Sequence, residues 1–162
     1  MKKIMIIAFI TIIILSVGLF SFIKSNPPLV SGAVGTTEGK KAVLVEIGNK
    51  GFSDVEIESV VINKNEQPLT RKLQVSNPIQ GLIITDTFNK EASKYGIREI
   101  GDVDILPHTS PASQLEKVNN GTATENDKSY GISVVHSKPI HSVNIKYRYL
   151  GFAFEESVLI EN

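Results

Sequence analysis

The stretch that decides the fold is VLVEIGNKGFSDVEIESVVIN, from Val43 to Asn63. In both of its halves β-branched residues alternate with other residues, which is the pattern of a β-strand with one buried face. Between the halves, Gly48-Asn49-Lys50-Gly51 offers residues that tolerate positive φ and so form turns. The sequence predicts a strand over 41–47 and a second over 52–63. Within the second, Val60-Val61-Ile62 indicates a bulge or a strand covered on both faces.

Short apolar segments continue to the C-terminus, separated by turn signals rich in Gly, Pro, Asn and Ser. A short helix is predicted over 113–118, and the polar segment 119–129 is predicted to be disordered. Seven or eight short strands without a long amphipathic helix predict an all-β domain, an antiparallel β-sandwich of Ig-like or fibronectin-like architecture. A small closed barrel is the alternative. The further strand segments are 69–75, 79–88, 97–106, 130–136, 143–149 and 152–160.

A different segment decides where the domain lies. Ile4 to Ile23, IMIIAFITIIILSVGLFSFI, carries no charge, and 14 of its residues are Ile, Leu, Val or Phe. About 20 apolar residues suffice for a helix to cross a bilayer core of ~30 Å. Those 14 side chains favour insertion by on the order of 4 to 8 kcal/mol. The sequence therefore predicts one transmembrane helix before the β-domain.

The flanking charges predict the direction of insertion. Lys2 and Lys3 precede the apolar run and Lys24 follows it, so the positive-inside rule leaves the N-terminus in the cytoplasm. The alternative is a cleaved signal peptide, whose apolar region is about 7–15 residues, shorter than this run. Both interpretations place the rest of the chain outside the cytoplasm, either on the cell membrane as a single-pass protein or secreted. The predicted organisation is an anchor at 1–24, a flexible Pro-, Gly- and Ser-rich linker at 25–39 and an extracytoplasmic domain at 40–162.

Composition excludes several functions. Residues 24–162 carry 15 Lys and Arg against 17 Asp and Glu, a balance that argues against a nucleic-acid partner. The chain has no cysteine, which fits a bacterial surface protein, and no tryptophan. No Gly-rich phosphate loop and no strained serine turn is found, so the sequence predicts no catalytic residues, no cofactor and no enzyme activity.

Val43 to Asn63 resembles the opening hairpin of bacterial membrane-anchored Ig-like accessory domains, with Asn49-Lys50-Gly51 as its N-x-G turn. The resemblance covers about a quarter of the folded part. It implies a single-pass surface protein with an Ig-like ectodomain of unassigned function. It brings no catalytic or binding residues.

The histidines and a pair of aspartates are the candidate reactive groups. His136 and His141 flank one predicted turn, while His108 lies in a Pro-bounded loop. Their spacing matches no metal motif, so no metal site is predicted. Asp102 and Asp104 would share one face of a strand, as charges on a solvated sheet edge do.

The densest aromatic cluster is the candidate interaction patch, unless its rings are simply part of the core. Its members are Tyr147, Tyr149, Phe152 and Phe154. The function predicted from these observations is a membrane-anchored extracytoplasmic binding or scaffolding module. Its expected partners are the membrane and another membrane or cell-envelope protein. One alternative is an extracytoplasmic hydrolase or metal-dependent enzyme that uses the histidines and aspartates above. The other is a structural spacer without a ligand.

Overall fold

The computed structural model describes residues 2–90 and 92–161. Its first element is α1, Lys2–Ser25, a helix of 24 residues with a mean hydropathy of 2.8 over its most apolar window. This helix is long and apolar enough to span a membrane or to act as a signal anchor. It contains the predicted segment from Ile4 to Ile23.

Eight strands and one further α-helix follow α1. The strands form two antiparallel sheets, so the expectation of a mostly β domain with seven or eight strands is confirmed. Sheet order is β1-β2-β6-β4-β5 in the larger sheet and β3-β7-β8 in the smaller one. The elements are β1 Leu29–Thr36, β2 Ala42–Asn49, β3 Val55–Ile62, β4 Thr70–Ser76, β5 Ile97–Arg98, α2 Pro111–Asn119, β6 Ser129–Val135, β7 Ser142–Tyr149 and β8 Phe152–Leu159.

One hydrophobic core lies between the sheets. Apolar side chains from both sheets are buried in the same cluster, among them Val45 and Ile132 of the larger sheet and Ile57 and Ile145 of the smaller. Neither sheet closes on itself within the described residues, so the alternative of a small closed barrel is wrong. β3 has a bulge, but as a register shift between Ile57 and Ser59, before the run Val60-Val61-Ile62. All three residues of that run are buried, as in the alternative of a strand covered on both faces.

The predicted hairpin over 43–63 is wrong. β2 pairs with β1 and β6, whereas β3 pairs with β7 in the other sheet, so the turn at 50–54 carries the chain from one sheet to the other. Alternation reports one buried face per strand, and it holds whichever neighbour a strand pairs with.

The side chain of Asn49 holds this crossover together. It is fully buried, and its Nδ2 donates to the carbonyls of Ser53, at 2.8 Å, and Ile105, at 2.9 Å. Its Oδ1 accepts from the backbone N–H of Gly51 at 2.8 Å. One amide therefore satisfies three backbone groups where the chain leaves β2.

The predicted flexible linker is wrong over much of its length. Residues 29–36 form β1, which pairs antiparallel with β2 from Leu29↔Asn49 to Thr36↔Val43. A bulge at Gly32 and Ala33 interrupts the register, and Ala33 N–H donates to Glu46 Oε2 at 3.2 Å. The glycines of β1 lie where other elements approach its backbone, as described below.

Two further predicted strands do not form as expected. Residues 77–90 contain no strand. The backbone of Ile83 in this segment is hydrogen-bonded by the side chain of Gln74, not by the backbone of a neighbouring strand. Gln74 Nε2 donates to the carbonyl of Ile83 at 2.7 Å, and Gln74 Oε1 accepts from the N–H of Ile83 at 3.0 Å. The strand predicted over 97–106 is reduced to β5, which pairs with Leu73 and Gln74.

The polar segment after α2 is ordered, contrary to the prediction of disorder. Asp127 pairs with Lys117, and its Oδ2 accepts from the N–H and the hydroxyl of Thr124, both at 2.8 Å. The hydrogen bond from Lys117, followed by those from Thr124, lowers the pKa of Asp127 to about 2. Local polar contacts thus order this segment, although it has no large apolar side chain to bury.

The end of α1 packs against the domain. Ile23 is buried in the hydrophobic core, and the ring of Phe20 lies 5.3 Å from that of Phe152, edge to face. Lys24 Nζ donates to the carbonyl of Ala153 at 2.6 Å. Only three residues separate the end of the helix from β1, and these contacts set the position of the helix beside β8.

Candidate functional site

A groove crosses the outer face of the larger sheet. Its floor is β1 and the neighbouring part of β2, where Leu44 and Glu46 point away from the core. Glycines lie on the floor at the points where other elements pack closely against its backbone. A Cβ at Gly32 would lie 2.6 Å from Pro111 Cβ, and one at Gly35 would lie 2.3 Å from Ile84 Cδ1. The covering elements can approach the sheet because these positions lack side chains.

Two elements that are not strands form the walls. One wall is α2, which begins with Ser110 as N-cap, accepting from the N–H of Ser113 at 3.3 Å, and Pro111 in its first turn. The other wall is the segment 78–84, which Gln74 fixes to the sheet through Ile83. The groove between them has a volume of about 940 Å³.

The lining is mostly apolar and much of it is exposed. Leu115 and Val118 of α2 are 61% and 45% exposed, and Ile84 on the opposite wall is 45% exposed. Val34 at the edge of the floor is 40% exposed. Exposed apolar side chains that converge on one concave surface indicate a binding site more strongly than the same residues scattered singly.

A few polar groups lie among the apolar ones. Glu46 and Lys50 are the charged side chains among the lining residues. Gln114 also lines the groove and is only 3% exposed, and its Oε1 accepts no hydrogen bond from any described residue. A buried amide oxygen without a donor is uncommon in folded proteins.

The four aromatic residues predicted as an interaction patch are brought together. Tyr147 lies opposite Phe154, with stacked rings 5.4 Å apart, and Tyr149 lies opposite Phe152. Both tyrosines are buried in the core, as the alternative interpretation expects, and burial raises the pKa of Tyr147 to about 12. The phenylalanines are half-buried.

The helix α1 covers part of the surface of these phenylalanines. Phe20 contacts Phe152, and Lys24 Nζ lies 4.3 Å above the ring of Phe154. Binding of a partner by these rings stays a prediction.

The three histidines are not brought together. His136 N–H donates to the carbonyl of Lys41, at the start of β2, and its Nε2 lies 3.5 Å from Glu66 Oε2. His108 precedes Thr109, which bonds to Asn49 at the other end of β2, roughly 25 Å away by the rise per residue of a strand. His141 is exposed at the same end as His136, where its N–H donates to Asn63.

The two aspartates lie in a turn and not on a strand. Neither Asp102 nor Asp104 belongs to a strand, so the expected placement on one strand face is wrong, although both side chains are exposed. Asp104 adds to the effect of burial in raising the pKa of Tyr130. Among the described residues, no group of three or more His, Cys, Asp or Glu side chains is placed to hold a metal ion.

Sequence patterns did not indicate the groove. Its floor lies in a segment whose Gly and Ser residues suggest a linker, and one wall lies in an apolar run that resembles a strand. The available signal was the low number of apolar residues in α2, Leu115 and Val118, which is too few for a helix that packs into a core. Comparison with protein-family models, with curated proteins and with solved structures finds no match to this chain.

Proposed function

We propose that the chain is a single-pass, membrane-anchored binding module with an extracytoplasmic Ig-like domain, and that its ligand is an elongated apolar chain held in the groove. The acyl chain of a lipid or of a lipid-modified molecule has this chemistry. The observation that carries the proposal is the concave surface between α2 and segment 78–84, with exposed Leu, Ile and Val side chains on both walls.

The size and lining of the groove suit such a ligand. Small-molecule sites are typically clefts of about 300–1,000 Å³, lined mainly by apolar side chains with a few polar groups that fix orientation. The groove, at about 940 Å³, lies at the upper end of that range. Glu46, Lys50 and Gln114 supply the polar groups.

The position of the groove supports a ligand that comes from the membrane. Val30, on its floor, lies five residues after Ser25, where α1 ends. Five extended residues reach at most about 17 Å, so one end of the groove is close to the surface from which the helix emerges. An acyl chain needs to leave the bilayer only partly to enter it.

Photocrosslinking of full-length protein in vesicles tests this proposal. A phospholipid or a free fatty acid with a diazirine at the end of its acyl chain is added, and adducts are mapped by mass spectrometry. We expect adducts on α1, which is in the bilayer, and also on α2 and segment 78–84. Labelling by the free fatty acid alone would identify the ligand as a fatty acid, and labelling by both as an acyl chain in general.

The variant Leu115→Glu is expected to reduce adducts on α2 and 78–84 by about tenfold or more, because burying a carboxylate among acyl carbons costs on the order of 2–3 kcal/mol. Leu159→Glu is the matched control. Leu159 is a 72% exposed leucine of β8, away from the groove, and its replacement should leave the adducts unchanged. Adducts confined to α1 would rule out the groove as an acyl-chain site while leaving the anchor in place.

A further inference from the structure

The end of the domain that faces the membrane is defined by short connections. α1 ends at Ser25 and β1 begins at Leu29, which pairs with Asn49 at the end of β2. The turn 50–54 begins at that point, where Lys50 N–H donates to the carbonyl of Pro28 at 2.9 Å. The loop 106–110 is tied to the same end by Thr109 N–H, which donates to the carbonyl of Asn49 at 2.9 Å.

A third turn at this end, Leu150-Gly151 between β7 and β8, is placed by the contacts of α1. Phe20 lies five residues before Ser25, about 7.5 Å further along the helix axis and so deeper in the bilayer. Its ring touches Phe152, which directly follows the turn Leu150-Gly151. With α1 in the bilayer, this turn therefore lies at the depth of the last helical turns, where headgroups meet acyl chains. Lys24 is well placed there to direct its ammonium towards water.

Each of the three connections carries a large, exposed apolar side chain. Phe52 is 69% exposed, Leu106 is 43% exposed and Leu150 is 40% exposed. The ring of Phe52 packs edge to face on Tyr149 at 5.8 Å, which orients it at this end of the domain. Three exposed apolar side chains clustered beside a membrane anchor are unusual for a surface in water. They are typical of a surface that lies in the lipid interface.

The backbone at Leu150 supports the same interpretation. Leu150 and Gly151 both have positive φ, 51° and 79°, as a two-residue type I′ turn requires. Asn, Asp or Gly normally occupies the first of these positions, because a leucine there is sterically unfavourable. The chain thus carries an apolar residue at the hairpin tip at a conformational cost.

From these observations we infer that Phe52, Leu106 and Leu150 insert into the lipid interface and form a second membrane contact beside α1. The partner is the boundary between headgroups and acyl chains of the bilayer that holds the helix. This end also carries Lys50, Asp54 and Asp104, whose charges do not favour anionic lipid. Insertion is therefore driven by apolar area and should occur in uncharged phosphatidylcholine. The inference rests on the proposed membrane anchor.

Because the chain has no tryptophan, one introduced Trp is the only indole fluorophore. We would prepare full-length Phe52→Trp and Leu150→Trp in phosphatidylcholine vesicles with or without brominated acyl chains, which quench nearby indoles. The matched control is Leu69→Trp. Leu69 is a 68% exposed leucine beside β4, at the opposite end of the domain. We expect quenching of the first two variants to be at least about twofold stronger than that of Leu69→Trp.

A fourth variant separates this inference from the anchor itself. Phe9→Trp lies within α1 and should be quenched if the helix is inserted. Quenching of Phe9→Trp together with equal, weak quenching of Phe52→Trp, Leu150→Trp and Leu69→Trp would overturn the inference and leave the anchor intact. Loss of quenching in Phe9→Trp would overturn both.

Discussion

Replacing Asn49 with alanine is expected to lower the free energy of unfolding by about 3 kcal/mol, because the buried amide makes three hydrogen bonds to backbone groups at the crossover. A buried polar group left without a partner costs roughly 1–3 kcal/mol, and entry of water recovers part of that cost. Thermal unfolding of full-length protein in detergent, followed by circular dichroism, should show a fall in Tm of about 10 °C.

Two further variants make this experiment specific. Asn49→Asp keeps an acceptor for Gly51 but places a second oxygen against the carbonyls of Ser53 and Ile105, so we expect at least as large a loss. Asn119→Ala removes an exposed asparagine at the end of α2 and should change stability by no more than about 0.5 kcal/mol. If Asn49→Ala were as stable as Asn119→Ala, the proposed role of Asn49 in the crossover would be wrong.

The second large effect is expected at Gly96. Its φ is 66°, and an added Cβ would lie 2.0 Å from the carbonyl oxygen of Val75. The N–H of Val75 donates a hydrogen bond to the carbonyl of Gly96, so the two backbones are already in close contact. Gly96→Ala combines a left-handed backbone, which costs roughly 1–2 kcal/mol for alanine, with a clash that the backbone of β4 must relieve. We expect a total loss of about 3 kcal/mol or detachment of β5 from β4.

Gly81→Ala is the matched control, since Gly81 has a φ of 74° but no atom within 4 Å of its added Cβ. It should show only the cost of the left-handed backbone, about 1 kcal/mol. Urea unfolding measures the difference between the two variants, and hydrogen exchange at the Val75 amide reports whether β5 detaches. Equal losses in the two variants would mean that the contact with Val75 contributes nothing.

Hydrophobic patterns in the sequence predicted four of the strands well. The predicted strands over 69–75, 130–136, 143–149 and 152–160 lie within a residue or two of β4, β6, β7 and β8. In β7 and β8 alternation reflects burial directly, whereas β6 is buried on both faces and forms a short apolar run instead. The pattern does not predict which strands pair with each other. The predicted hairpin over 43–63 is wrong because the alternation of a strand is the same whichever sheet it joins.

The groove was missed because its components depend on tertiary contacts. The glycines of β1 suggest flexibility in isolation, but Gly32 and Gly35 mark the places where Pro111 and Ile84 approach the sheet. Segment 78–84 has the composition of a strand, yet one side chain, Gln74, pairs with its backbone and leaves it as a wall. Neither contact is visible without the fold.

The cluster of exposed apolar residues proposed to contact the membrane could not be predicted from sequence patterns either. Phe52, Leu106 and Leu150 are far apart in the chain and each is an ordinary apolar residue near a turn. Only the short connection from α1 to β1 and the contact of Phe20 with Phe152 place them at one end.

The orientation of the chain in the membrane is the claim on which the rest depends, and cysteine labelling tests it most directly. Because the chain has no cysteine, Ser137→Cys adds a single thiol at an exposed turn at the end of the domain opposite to α1. With a membrane-impermeant maleimide, we expect this variant to be labelled in intact cells and to stay in the membrane pellet after an alkaline wash. Labelling that appears only after the cells are lysed, or a protein found free of membranes, would contradict a membrane-anchored extracytoplasmic domain.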